Sequence, residues 1–411
     1  MRVTVVVLGD LSRSPRTVLH ARALATAGHA VDLIGFAETG WSADVAGITT
    51  WTLPDAHSRS DASFLARATR RGIGLVSRLA RLLWTVPRPD VILVQNPPGI
   101  PALALAWLAA RSRGARLVID WHNLTSSMLA MRVKDNHWLV RSTSIYEKCF
   151  GRRADGNLFV SSTMRTELAR RWGLNGIVFY DQPAEIFRPL IADDRLAART
   201  AVLQTLGATG ASSFVVTSTS WTADEDFGLL LDALLQLDAA MTAEAHNEQE
   251  GARVVVLITG RGPMRADYEQ RFAEAGFRSV RVCTAWLSAE AYPRTLAAAD
   301  LGICLHRSSS GLDLPMKVLD MFGAGLPVVA FDYGACLREL VRPGTDGLLF
   351  KTSEELAAHL FTLLSPERPG AGSSLSVLRD GVANRTAPSW EQTWRTDVLP
   401  LLVRLGARGR R

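Results

Sequence analysis

Twelve short apolar runs recur along the chain in two series of six, with stretches of helical character between them. The first series is Val3–Leu8, Val31–Phe36, Val91–Val94, Leu117–Asp120, Gly156–Val160 and Ile177–Tyr180. The second is Phe214–Ser218, Val254–Thr259, Val280–Thr284, Leu301–Leu305, Val328–Phe331 and Gly347–Phe350. Runs this continuous are strands buried on both faces, and strands that alternate with helices are joined in parallel by crossovers. The fold class that follows is α/β, two parallel sheets wrapped by helices, hence two Rossmann-like domains. At 411 residues the chain has room for two, at ~150–200 residues each. Pro183, Pro189 and a Gly/Ala/Ser cluster place the linker near 185–212. The domains are expected over 1–190 and 191–385, with a C-terminal helix and basic tail over 386–411. In that tail Ser389 reads as an N-cap, and Pro400 as a kink or restart. Segments 241–252 and 366–376 read as surface loops.

A composition of 47% apolar and 21% charged residues is that of a folded chain. The net charge is +6, and lysine occurs only at 134, 148, 317 and 351. The arginine bias has an explanation in genomic base composition, so the Arg-rich runs are not read as nucleic-acid sites. Cys149, Cys283, Cys304 and Cys336 lack metal-ligand spacing and read as reduced, buried thiols of a cytoplasmic protein. Met1 runs straight into Val3–Leu8, leaving no room for a secretion signal. The apolar stretch Ile100–Ala110 is about half the ~18–20 residues a spanning helix needs. Residues 62–85 are different: Phe64, Leu65, Ile73, Leu75, Val76, Leu79, Leu82, Leu83 and Trp84 gather on one helical face, bordered by Arg67, Arg70, Arg71, Arg78 and Arg81. That is either an interfacial helix on anionic lipid or a surface helix packed on a sheet, with Gly72 and Gly74 weakening its continuity.

In open parallel sheets ligands bind beyond the carboxyl ends of the strands. The richest strand end is His306–Val329, where Ser308-Ser309-Ser310-Gly311 precedes Pro315 and a helix that closes at Gly323 and Gly325. Backbone N–H groups of such a loop, and of a helix's first turn, suit a diphosphate. Lys317 adds a full charge, and Asp320 is placed to accept hydrogen bonds from a ribose diol. An ordinary βαβ crossover would use the same turn chemistry. Further rim groups of the second half are Ser218–Thr222 and Gly260-Arg261-Gly262, whose arginine suits phosphate. Trp221 either stacks on a ligand or packs. Asp224-Glu225-Asp226 is reminiscent of a metal-binding carboxylate pair, but it follows Thr222, and first-turn acids are ordinary dipole partners. No other cluster supports a metal, so none is expected. In the first half the rim carries Asp10, Ser12, Arg13 and Arg16, then Gln95 and Asn96, then Asp120, His122 and Asn123. Asp10 and His122 are candidates to take a proton from an attacking hydroxyl, although either also serves as a turn or cap residue.

With these residues assembled, the chain resembles the chitobiosyldiphosphodolichol β-mannosyltransferase family. The matching segments are VVVLGD (5–10), SPR (14–16), QNPPG (95–99), IDWHN (119–123), YEKCFGR (146–152), TSTSWTADEDF (217–227), ITGRGP (258–263) and SSSGLDLPMKVLDMFG (308–323). The resemblance implies the GT-B fold, two facing Rossmann-like domains, and an inverting transfer of mannose from GDP-mannose without metal or cofactor. It places Ser220, Gly260, Arg261, Gly262, Ser309, Ser310, Gly311, Leu312, Asp313, Lys317 and Asp320 in the donor site. Arg13, Arg16, Gln95, Asn96 and Asn123 then fall on the acceptor side, with His122, ahead of Asp10, as base. The implied partners are the nucleotide sugar and a polyprenyl-diphosphate-linked saccharide, to which mannose is joined in β-1,4 linkage on a chitobiosyl-type acceptor. Eukaryotic members carry an N-terminal membrane anchor, whereas here Met1 leads directly into the first strand. A bacterial-type relative held peripherally on the cytosolic membrane face through 62–85 is therefore expected.

Three rival readings remain: a GT-B enzyme, retaining included, acting on another bacterial glycolipid or polysaccharide precursor; a two-domain nucleotide-sugar epimerase; and a catalytically silent glycolipid-binding relative. Retaining relatives carry two glutamates around the Pro-led helix, where this chain has Asp313 and Asp320. A silent relative would be expected to lose Arg261 or Lys317. A dehydrogenase would need G-x-G-x-x-G after the first strand, and Gly9-Asp10-Leu11-Ser12-Arg13-Ser14 does not supply it.

Overall fold

A computed structural model describes residues 1–37, 41, 45–53, 64–244, 252–365, 371–386 and 388–409, with the backbone alone at 64–73, 371–373 and 409. The chain divides into one compact unit of residues 1–181 with 388–411 and a second of 182–387. The first contains seven strands: β1 (Arg2–Asp10), β2 (Ala30–Phe36), β3 (Ile48–Leu53), β4 (Val91–Asn96), β5 (Arg116–Trp121), β6 (Gly156–Phe159) and β7 (Ile177–Val178). They lie in the order β3-β2-β1-β4-β5-β6-β7. The second contains β8 (Ser213–Ser218), β9 (Val254–Thr259), β10 (Val280–Ala285), β11 (Leu301–Cys304), β12 (Val328–Phe331) and β13 (Gly347–Phe350). Their order is β10-β9-β8-β11-β12-β13. The strand pairings are parallel throughout. In each sheet the order reverses once, between β1 and β4 and between β8 and β11, and such a switch point opens a crevice at the strand ends.

All twelve expected strands form. β3 is additional: ITTWTL is an edge strand with half of its positions polar, so it lacks the continuous apolar run of a central strand. The central strands bury both faces. Phe214 and Val216 of β8 enter one core of the second unit, with Leu296, Met321 and Val328, while Val215 enters the other, with Phe227, Leu234 and Leu356.

The expected linker holds a helix, Ala192–Thr205, and the units divide at Asp181/Gln182 rather than near 190. An Ala-rich segment read as linker is a good helix former, and Ala198 and Leu203 of this one join the second unit's core. Half of the expected loop 366–376 is likewise helical, in Ala371–Ala383, while 245–251 and 366–370 lie outside the described residues. The tail belongs to the first unit: Trp394, Val398, Leu402 and Leu405 pack with Val3, Val5 and Phe179. Ser389 caps it in a capping box with Gln392. Ahead of Pro400 the helix widens into a π turn, Trp394–Val398, closed by Leu399 N–H on Trp394 O. A proline lacks the N–H for an ordinary helical bond and crowds the carbonyl four residues back, which accounts for the wider turn. Arg408 is exposed, and Arg410 and Arg411 lie outside the described residues.

Helix Phe64–Thr85 runs unbroken through Gly72 and Gly74. Val76 and Trp84 are exposed beside exposed Arg78 and Arg81, while Leu79 and Leu83 are buried. The side chains of Arg67, Arg70 and Arg71 lie outside the described residues. Among the described residues no helix is long and apolar enough to cross a membrane.

Candidate active site

Residues two apart in a strand point to one side, which puts Asp120, near the end of β5, beside His122. Asp120 is 2% exposed. Arg16 donates to it twice, Nε to Oδ2 at 2.9 Å and Nη2 to Oδ1 at 3.0 Å. His122 Nε2 lies 2.7 Å from Oδ2, and His20 Nε2 3.2 Å from it. Arg16 Nη1 goes on to Phe179 O at 2.9 Å and Asp181 Oδ1 at 2.8 Å. Burial alone would raise the pKa of Asp120, but Arg16, the neighbouring His122 and the hydrogen bonds from both imidazoles hold it well below the usual carboxylate range. An ionised carboxylate only accepts, so His122 must carry its proton on Nε2, which leaves Nδ1 with the lone pair. That is the arrangement a general base needs.

The other rim residues divide. Asp10 caps the short turn Leu11–Arg13, its Oδ1 accepting from Ser12 N at 2.9 Å and Ser12 Oγ at 2.8 Å. Arg13 is exposed. Gln95 is half-buried, accepting from Thr17 Oγ1 and donating to Pro97 O at 3.2 Å. Asn123 accepts from Leu124 N at 2.7 Å and from Ser127 Oγ at 3.2 Å. Arg16 and Asn96 do not take the expected place at an acceptor, because both are buried and bonded inward. Asn96 Nδ2 donates to Asn123 O at 3.0 Å and Glu147 Oε1 at 2.9 Å. Glu147, unassigned in the YEKCFGR segment, caps helix Thr125–Val133, whose own N-cap Leu124 has no side-chain acceptor. It takes Thr125 N at 2.6 Å and Ser126 N at 3.2 Å.

In the second unit the loops after β8 and β11 meet across the switch point, and charge joins them. The Asp224-Glu225-Asp226 run is engaged residue by residue. His306 Nδ1 lies 3.5 Å from Asp224 Oδ2, Lys317 Nζ contacts Glu225 Oε1, and Arg307 Nη2 lies 3.5 Å from Asp226 Oδ2. Glu225 also accepts from Ser220 N at 2.8 Å. Burial would lower the His306 pKa, but the hydrogen bonds that the imidazole donates to Asp224 and Asp313 outweigh it and lift the imidazole to about 9. No group of three metal-ligating side chains occurs among the described residues. Trp221 packs instead of offering a face: it is fully buried and stacked on Phe227 at 4.5 Å.

The expected donor residues lie on these loops, on the loop after β9 and on helix Met316–Gly323. A Cβ on Gly260 or Gly262 would lie 1.9 Å from the carbonyl oxygen of Thr219 or Ser220, so only glycine lets the two loops touch there. Arg261 between them is exposed, its guanidinium 4.3 Å from the Trp286 ring centroid. Gly311, at φ 71°, turns the Ser loop. Ser308 Oγ accepts from Gly311 N at 2.8 Å and Ser310 Oγ from Leu312 N at 3.2 Å, Leu312 itself being buried. Asp313 accepts from Ser308 Oγ, and Ser309 belongs to the same turn. Helix Met316–Gly323 begins at Pro315 with no side-chain cap, which leaves its first N–H groups for an anion, beside the Lys317 ammonium that Glu225 holds. Burial pushes the Asp320 carboxyl up to about 7. The spacing of residues 120 and 122 was a usable signal for the Asp–His pair. No local signal pointed to His20 and Trp394, which are 374 residues apart.

Two family models match the chain: "Glycosyl transferase 4-like domain" over residues 14–178 and "Glycosyl transferases group 1" over 215–366. The solved structure of Anabaena HepE in complex with UDP and glucose matches 99% of this chain and 98% of its own, with a TM-score of 0.66 at 16% identity. The protein is thus a glycosyltransferase of the GT-B fold. The chitobiosyldiphosphodolichol beta-mannosyltransferase of Mus musculus is 38% identical over 437 residues, spanning 98% of this chain and 89% of its own. An Arabidopsis thaliana relative, UDP-glycosyltransferase TURAN, is 35% identical over 457 residues, spanning 98% and 97%. The chain belongs to the chitobiosyldiphosphodolichol beta-mannosyltransferase family, as its motifs implied.

Proposed function

We propose that the enzyme moves mannose from GDP-mannose, with inversion and without metal or cofactor, onto the chitobiosyl unit of a polyprenyl-diphosphate-linked acceptor. The observation that carries this reading is the His122–Asp120 pair, whose ionised carboxylate leaves a lone pair on Nδ1. In the reaction the acceptor hydroxyl gives its proton to Nδ1 as its oxygen bonds to the anomeric carbon. The bond from that carbon to the diphosphate breaks, and its electron pair leaves with GDP. The imidazolium so formed is stabilised by Asp120. On the donor side Lys317, Arg261 and the uncapped helix start take the growing diphosphate charge, and Asp320 takes the ribose. Asp313 is engaged by Ser308 and lies near His306, so it shapes the loop. Arg13, Gln95 and Asn123 line the acceptor's approach. Helix Phe64–Thr85 rests the enzyme on the cytosolic face of an anionic membrane through Val76, Trp84, Arg78 and Arg81.

The test is incubation of the purified enzyme with labelled GDP-mannose and synthetic chitobiosyl diphospholipid, with and without EDTA. A β-mannosyl lipid is expected in both. No product in either would sink the proposed activity, and loss with EDTA would sink the metal-free route. One Arabidopsis relative is named a UDP-glycosyltransferase, so UDP-sugars belong beside GDP-mannose in the same assay. Transfer from a UDP-sugar alone would reverse the donor assignment.

A further inference from the structure

The charge cluster beneath His122 ends in a residue from the far end of the chain. Trp394 sits in the π turn ahead of Pro400, fully buried in the first unit's core. Its indole Nε1 lies 2.9 Å from His20 Nδ1. An indole N–H only donates, so Nδ1 of His20 must be the acceptor. The one proton of the neutral ring is then on Nε2, which faces Asp120 Oδ2 at 3.2 Å. Burial opposes a second proton on His20. Aromatic rings flank the imidazole. It lies 5.7 Å from Phe179 and 5.5 Å, edge to face, from Trp390, which itself stacks on Trp394 at 6.3 Å.

Asp120 thereby receives two bonds from Arg16, one from His20 and one from His122. Three of the four converge on Oδ2 and one on Oδ1, so three side chains hold the carboxylate in one orientation. Its orientation in turn decides which nitrogen His122 presents. With Arg16 shared between Asp120 and Asp181, the cluster holds two carboxylates against one guanidinium.

We propose that Trp394 and His20 are positioning residues of the transfer reaction. The C-terminal segment fixes the tautomer of His20, and His20 holds the Asp120 carboxylate in the orientation that turns His122 Nδ1 outward. This rests on the reading of His122 as the base. It gives the returning tail a function beyond closing the core.

Histidine side-chain nitrogen NMR on the full-length protein reads the first link directly, with the His20 signals assigned by their loss in His20→Gln. The expected spectrum has Nδ1 unprotonated and Nε2 protonated from about pH 6 to about pH 8. A protonated Nδ1 in that range would overturn the proposal. Trp394→Phe keeps an aromatic ring and removes the donor. It is expected to release the second tautomer and to lower kcat roughly tenfold, with the KM of both substrates within about twofold. His20→Leu removes one bond to Asp120, so that carboxylate holds the His122 proton harder. The acid limb of kcat should then move up by about half a pH unit, and His20→Gln, which can donate to Asp120 and accept from Trp394, should restore it. If Trp394→Phe does not fold, the His20→Leu and His20→Gln pair decides alone. Native kcat and an unmoved acid limb in folded His20→Leu would refute the positioning role. Native kcat in His122→Ala would instead remove the base assignment, whatever tautomer His20 shows.

Discussion

The two units share a fold and a kind of switch point, yet they treat charge in opposite ways. In the first, Arg16 and Asp120 are buried and bonded inward, 4% and 2% exposed. In the second, the loops after β8 and β11 are clasped by pairs whose cationic members stay reachable, Lys317 at 24% and Arg307 at 46%. A buried network holds geometry, because breaking it strands charge out of water. In the clasp the cations face water while Glu225 is 1% exposed, so an incoming anion joins Lys317 beside that carboxylate rather than displacing it. On the proposed function, the first unit's buried network orients the base and the second unit's reachable cations grip the diphosphate.

The contrast can be broken most severely at Arg16. Arg16→Met leaves Asp120 and Asp181 without their cation, and a loss of ~3–5 kcal/mol in urea unfolding is expected. A loss below about 1 kcal/mol would mean the first unit's network is no more structural than the clasp. Asp320 comes next. Its raised pKa means that stability from the neutral carboxyl is present below the ordinary carboxylate range and is lost as pH rises through about 7. Asp320→Asn should therefore be more stable than the native chain by roughly 2 kcal/mol at about pH 8.5, and equal to it near pH 4. Equal unfolding midpoints at both pH values would contradict this.

Lys317→Ala should weaken GDP binding about tenfold by calorimetry; unchanged affinity would remove the lysine from the donor site. His306 tests the clasp itself. With its pKa lifted to about 9 by Asp224 and Asp313, the stability it lends is complete below about pH 6.5 and fades as pH rises through 9. The native chain should lose about 1 kcal/mol more across that window than His306→Gln. The smallest effect is expected at Arg261. Exposed and stacked on Trp286, it should change stability by less than about 0.5 kcal/mol when replaced by alanine while GDP affinity falls.

Much of this was legible in the chain because strands buried on both faces must be apolar throughout. The Ser308–Gly311 loop, Pro315, Lys317 and the glycines flanking Arg261 were visible for a related reason: their roles are local, set within a turn or the first turn of a helix. β3 escaped because an edge strand alternates. Arg16 and Asn96 were read as surface groups because a polar residue after a strand looks the same whether it faces water or a buried partner. Asp224-Glu225-Asp226 looked like a helix start or a metal pair, since its partners His306, Arg307 and Lys317 lie far along the chain.

The sequence alone determined the two wound sheets, the family and the position of the loops at the strand ends, since these follow from hydrophobic period and turn chemistry over short windows. Tertiary structure alone decided which charges face each other. It brought the tail back onto the first unit and set Trp394 against His20, and it closed the β8 and β11 loops through their ion pairs. Hydrogen bonds and Coulomb forces act over a few ångströms of space and take no account of separation along the chain.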